Sequence, residues 1–128
     1  TPLNHTKCWS APRDVSYKKK FFIANENIKL LNFLANWVST SAYAPIPDGA
    51  IIAGNDVDGS PIYVGKAFHE GDVIPAKVIP SKNVAYVSYA GVEVPKHQYE
   101  VLCNGNVSWI PSGHGHIPHN AVVGGNTS

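Results

Sequence analysis

The 128-residue chain carries almost no net charge, only two cysteines and no long apolar stretch. Each shortage removes a class of function. Ten Lys and Arg against nine Asp and Glu leave a net charge of +1, so there is no overall basic field to draw in phosphate backbones or anionic lipid, and nucleic acid is not expected as the main partner. No apolar run approaches the roughly 20 residues needed to span a bilayer, and no signal-type segment opens the chain, which reads as a soluble protein. Cys8 and Cys103 stand outside any CxxC pattern, against a structural zinc site or a thioredoxin-type redox pair. A Gly-rich phosphate loop, a nucleophile elbow and a paired-acid motif are also missing. An enzyme is therefore not expected, and no cofactor is implied. What is present, 44% apolar residues with 15% charged, describes one globular domain with a core rather than a disordered chain.

The two thiols form either a disulfide or an inert pair. A Cys8–Cys103 bridge closes a loop of roughly 95 residues and contributes on the order of 4 kcal/mol in the chain-entropy model. Three sequons, at Asn4, Asn106 and Asn126, exceed what chance places in a chain of this size. They point to a secreted, glycosylated protein; the opposite reading treats them as polar turns in a protein with reduced thiols. The first residue is Thr1 rather than Met, from which removal of an N-terminal segment is expected.

From Ile51 onwards, short apolar runs alternate with clusters of Gly, Pro, Asn and Asp, the pattern of short strands joined by tight turns. Val84 to Ala90 is rich in β-branched and aromatic residues, and Gln98 to Leu102 alternates polar with apolar; both predict strands. Residues 25–37 place Ile28, Leu31 and Ala35 on one helical face, but Leu30 and Phe33-Leu34 spoil the period, so a strand or irregular segment is expected. The fold class is all-β, with short antiparallel strands.

An internal repeat runs through the chain. The segment from Ile46 to Asn55 recurs from Ile117 to Asn126, 71 residues on, and Trp37 recurs as Trp109, 72 residues on. Val15-Ser16-Tyr17 and Val87-Ser88-Tyr89 share the 72-residue spacing. Two pseudo-symmetric units that each expose a strand edge are expected to close on one another.

Forward from Trp37, the landmarks are Ile46-Pro47-Asp48-Gly49-Ala50, Gly54, Asp56, Ile62 to Ala67, Gly71, Ile74-Pro75-Ala76-Lys77, Tyr86, Tyr89 to Glu93, Tyr99 to Leu102 and Trp109. This series resembles the DM9 repeat family, which includes invertebrate mannose-binding lectins of two tandem repeats and the N-terminal repeats of natterin-like proteins. The resemblance covers residues 37–126, with Lys66, Ala76 and Val94 where the family usually has Arg, Gly and His. It divides a single domain, 1–128, into a divergent segment 1–36, a complete repeat 37–108 and an incomplete second repeat 109–128.

The resemblance implies a metal-independent lectin for mannose or mannose-rich glycans, suited to innate immune recognition, whose site is an Asp after the Ala-Gly step and a Lys after the Pro-Gly step. Those positions are Asp56 and Lys77. The chemistry is sound without the family: a carboxylate accepts hydrogen bonds from vicinal hydroxyls and an ammonium donates to hydroxyl and ring oxygens. Asn55 adds an amide, and Glu93 is placed to line the same cleft. The plainer reading gives Asp56 and Asp58 to their own turn, Lys77 to a solvated strand, and Glu93 and Glu100 to a turn anchor and a cross-strand contact. Weak single-site sugar affinity favours several sites together, so a homo-oligomer or a partner chain completing the second repeat is expected. The competing function is a structural or targeting module of a larger natterin-like membrane-active protein without sugar specificity of its own.

Three other groupings carry less. His114, His116 and His119 form the sole metal-like cluster, but no carboxylate lies near to orient the rings, and a polar turn is expected. Asp56-Val57-Asp58-Gly59 has part of a calcium loop, yet Ala67 stands where the bidentate Glu belongs, which excludes it. Lys18-Lys19-Lys20 reads as a solvated face.

Overall fold

The computed structural model describes residues 10–15, 18–23, 28–31, 35–104, 108–111 and 121–127. These residues are nearly all strand: β1 (Ser10–Val15), β2 (Lys18–Ile23), β3 (Ile28–Leu31), β4 (Asn36–Ser41), β5 (Ile52–Asn55), β6 (Pro61–His69), β7 (Asp72–Ile79), β8 (Val84–Tyr89), β9 (Val92–Lys96), β10 (Gln98–Cys103), β11 (Ser108–Pro111) and β12 (Val123–Asn126). The one helical element among them is a 3₁₀ turn, Pro80–Lys82. The all-β reading is therefore the observed class. The segment whose helical period failed supplies β3 and the start of β4.

Ten strands make one antiparallel sheet in the order β1-β2-β12-β7-β6-β10-β4, with β5 beside β6, β8 beside β7 and β9 beside β8; β11 and β3 pair separately. The trunk is the hairpin of β6 and β7, paired without interruption from Tyr63–Val78 to His69–Asp72. It closes on Glu70-Gly71, and the β8–β9 hairpin on Ala90-Gly91, all four residues at positive φ. That is the demand of a two-residue type I′ turn, whose twist matches the flanking strands.

Each outer edge of the trunk serves two neighbours. β6 meets β5 at Pro61–Tyr63 and β10 at Gly65–Lys66. β7 meets β12 at Val73 and β8 at Ala76–Ile79. Pro75, with no N–H to give a ladder, falls between those two partners, at the point where the sheet branches.

Branching lets both faces of the trunk be covered. Ile62, Val64, Ile79 and Leu102 pack with Ala53 and Val122 on one face, against Trp37, Tyr86 and Trp109. Ala67, Ile74, Ala76, Val78, Ala85, Val87, Tyr99, Val101 and Cys103 pack on the other. Hence β7 is buried on six consecutive residues from Ile74, the run typical of a strand covered on both sides. Cys103 carries a free thiol in this second cluster, raised in pKa by burial and directed at the Val101 carbonyl, 3.6 Å away. Cys8, its expected disulfide partner, lies outside the described residues.

The 72-residue spacing has a counterpart in the pairing. Asn36 opposes Cys103 in the β4–β10 ladder, and Ser108 opposes Leu31 in the β11–β3 ladder. Moving Asn36 forward and Cys103 back by 72 positions converts the first pair into the second.

Gly65 lets three strands meet closely. A Cβ there meets a Val78 methyl at 2.5 Å and the Glu100 carbonyl oxygen at 2.9 Å, and the backbone oxygen cannot step aside cheaply. Gly65→Ala is expected to cost about 1–3 kcal/mol, the usual overpacking penalty. A urea titration showing an unchanged midpoint refutes this account of the junction.

Candidate functional site

Lys77 lies in the middle of β7, opposite Val64 of β6 and Tyr86 of β8. It shares the face of Ile62, Val64 and Ile79, and it is the one charged side chain among the described residues that is buried, at 4% exposure. Its ammonium lies 2.7 Å from a Glu93 carboxylate oxygen and 6.0 Å from the centre of the Tyr86 ring. Glu93 sits on β9 and is 42% exposed. A cation is thus fixed beneath the surface while its partner carboxylate faces water, next to an aromatic ring. The β8–β9 hairpin brings Glu93 there, because Ser88 opposes Glu93 and Tyr86 opposes Lys77.

Asp56 follows β5, where the chain turns toward β6. Its N–H donates to the Ser60 carbonyl at 2.8 Å, and the Gly59 N–H donates to the Asp56 carbonyl at 2.9 Å. Its Oδ1 accepts from the Val57 N–H at 2.9 Å, Asp58 Oδ1 accepts from the Ser60 N–H at 2.9 Å, and the Asn55 amide donates to the Gly59 carbonyl at 3.1 Å. The turn is held by its own side chains, as Asx chemistry favours. Beyond the turn, Asp56 pairs with Lys82 at 2.5 Å, and Asp58 lies 3.5 Å from the same ammonium.

Lys77 and Glu93 are therefore brought together, while Asp56 engages Lys82. Ile79, on the same face of β7 as Lys77 and 2% exposed, lies between Lys77 and the 3₁₀ turn that carries Lys82. From the register, Asp56 follows the Asn55–Pro61 pair, whereas Lys77 opposes Val64. That offset is roughly 13 Å along the strands, with two strand spacings between. The face carries two charge pairs in place of a single Asp56–Lys77 contact.

Lys82 was invisible to sequence reasoning because 26 residues separate it from Asp56; the Pro80 that opens its turn was the sole local signal. Tyr86 stood among the sequence landmarks but gained a role only from its register with Lys77. Asn126 is exposed at the end of β12. Asn4, Asn106, His114, His116 and His119 lie outside the described residues, and among the described residues no three His, Cys, Asp or Glu side chains cluster to hold a metal.

The hydrogen bond from Lys82, helped by the Val57 N–H, holds the Asp56 carboxyl below its ordinary 3.8, and the same contact raises Lys82 above 10.5. Asp58 is lowered chiefly by hydrogen bonds from the Ser60 hydroxyl and N–H.

A family model described as the DM9 repeat matches residues 55–128, more than half of the chain. No curated protein and no solved structure matches it.

The folded Asp56 carboxyl titrates below its unfolded value, so its stabilising contribution is present above the unfolded pKa and disappears as pH falls through the lower, folded one. Asp56→Asn should lower the melting temperature at neutral pH, and the two proteins should converge as the pH falls below the ordinary carboxylate value of 3.8 and through the lower, folded one. A difference of constant size across that range contradicts the ion pair.

Proposed function

The chain belongs to the DM9 repeat family, and we propose that it is a metal-independent carbohydrate-binding protein recognising mannose or mannose-rich glycans. The observation that carries this reading is the buried Lys77 ammonium at 2.7 Å from the half-exposed Glu93 carboxylate beside Tyr86. Lysine is seldom buried unless paired. A buried ion pair is poor value as a stabiliser, because hydrophobic replacements of similar volume do as well or better. Its chemistry suits a neutral polyhydroxylated ligand: the carboxylate accepts from sugar hydroxyls, the ammonium orients it, and both are fixed before the ligand arrives.

Asp56 and Asn55 belong to the same proposal as a second polar group, organised by Lys82 at the end of the strands. Glu93 accepts from the sugar on the outer strand β9, and Lys77 is the cation behind it. A single such site binds weakly. Useful recognition requires several sites presented together, hence a homo-oligomer or a partner chain, and secretion places the protein where foreign or host glycans are met.

On immobilised mannose, the protein should be retained in the presence of a chelator and released by free mannose. Glu93→Gln should weaken retention by about tenfold, the effect of removing one charge-assisted hydrogen bond. Asp56→Asn reports separately on the turn. Flow-through of the wild-type protein with and without chelator contradicts the lectin reading and moves the weight to a structural module of a larger natterin-like protein.

A further inference from the structure

β6 and β10 join at two positions only, Gly65–Val101 and Lys66–Glu100, although β6 continues to His69 and β10 begins at Gln98. The next pair in that register, Phe68 with Gln98, is not made. The orientation of its peptide groups follows from bonds further along the same strands. The Val64 N–H donates to Ile51, away from β7, and the Leu102 carbonyl accepts from Ile51 on the same side. Because successive residues of a strand turn their peptide groups to opposite edges, Val64, Lys66 and Phe68 face β10, and Leu102, Glu100 and Gln98 face β6. The strands thus part with one pair of peptide groups aimed into the gap.

That gap is a groove of about 240 Å³. Ser39, Lys66, Phe68, Gln98, Tyr99 and Glu100 are among the residues lining it. Phe68 is 65% exposed at its rim, while Tyr99 is buried and its phenol raised in pKa by that burial. The Lys66 ammonium lies over the Trp37 ring, 4.4 Å from its centre. Among the described residues no ion pair is made by Glu100, and a carboxylate offers two acceptor oxygens. The lining pairs one cation with one anion and adds the hydroxyls of Ser39, Thr40 and Tyr99, an amide and an exposed ring. This favours a small neutral ligand rich in hydroxyl groups over a phosphate or a peptide. A charged ligand finds no net field there. A peptide strand adds along a run of open peptide groups, and the parting strands leave one pair. The volume lies below the roughly 300–1,000 Å³ of drug-sized sites, which suits a single sugar unit.

We infer that the groove between β6 and β10 is a second binding site, for one neutral hexose unit, with Glu100 and Ser39 as its hydrogen-bonding side chains and Phe68 as its apolar edge. It takes the class of ligand from the carbohydrate reading above, but not the location. The fully buried Pro75, opposite Lys66 and two residues from Lys77, separates it from the Lys77–Glu93 pair, so the two sites fill independently.

The test is a titration of isotopically labelled protein with methyl α-mannoside, following backbone amide resonances in the wild type, Glu100→Gln and Ser39→Ala. Expected are shifts at Phe68, Gln98 and Glu100 as well as at Lys77 and Glu93. Either variant should weaken the groove response by about tenfold and leave the Lys77–Glu93 response unchanged. Unperturbed spectra elsewhere show that the variants remain folded. Shifts confined to Lys77 and Glu93 overturn the second site and leave the carbohydrate reading standing. Shifts confined to the groove support the second site and overturn the Lys77–Glu93 assignment, and a protein that responds nowhere contradicts both.

Discussion

An ammonium group with almost no access to water must be neutralised at close range, and in this protein the arrangement around Lys77 meets that requirement. The cost of leaving a buried cation unpaired is several kcal/mol, so the Lys77–Glu93 contact ties three strands together: β7 carries the cation, β8 the aromatic ring, and β9 the carboxylate. The register of the β8–β9 hairpin has to be correct for the pair to form, since a slip of one residue sends Glu93 to the opposite face. The type I′ turn at Ala90-Gly91 fixes that register.

The same sheet explains why polar chemistry sits where it does. Both faces of the β6–β7 trunk are packed, which leaves little room for ligand at its centre. Polar groups collect where neighbours change: Lys82 and Asp56 beyond the ends of β7 and β5, Lys66 and Glu100 where β10 leaves β6, and Glu93 on the outer strand β9. Branching gives the trunk its double cover and also creates the gap between β6 and β10.

Much of this was legible in the residues. The β-branched and aromatic run from Val84 and the alternation from Gln98 became β8 and β10 with ends shifted by no more than a residue. The Asp-rich turn closed on itself as Asx chemistry anticipates. Burial was not legible at Lys77. Locally it looks like a solvated strand residue, and only pairing on both edges of β7 with packing on both faces encloses it. Lys82 as the partner of Asp56, and the gap beside Lys66, likewise depend on strands distant in sequence.

The central claim is that the buried cation and its exposed carboxylate engage a sugar. A crystal structure of the full chain with bound mannose tests it most directly. The account predicts a mannose hydroxyl within hydrogen-bonding distance of Glu93, with Lys77 still behind the carboxylate and Tyr86 alongside. Mannose seated on Asp56 and Lys82, with the Lys77–Glu93 pair untouched, would contradict it.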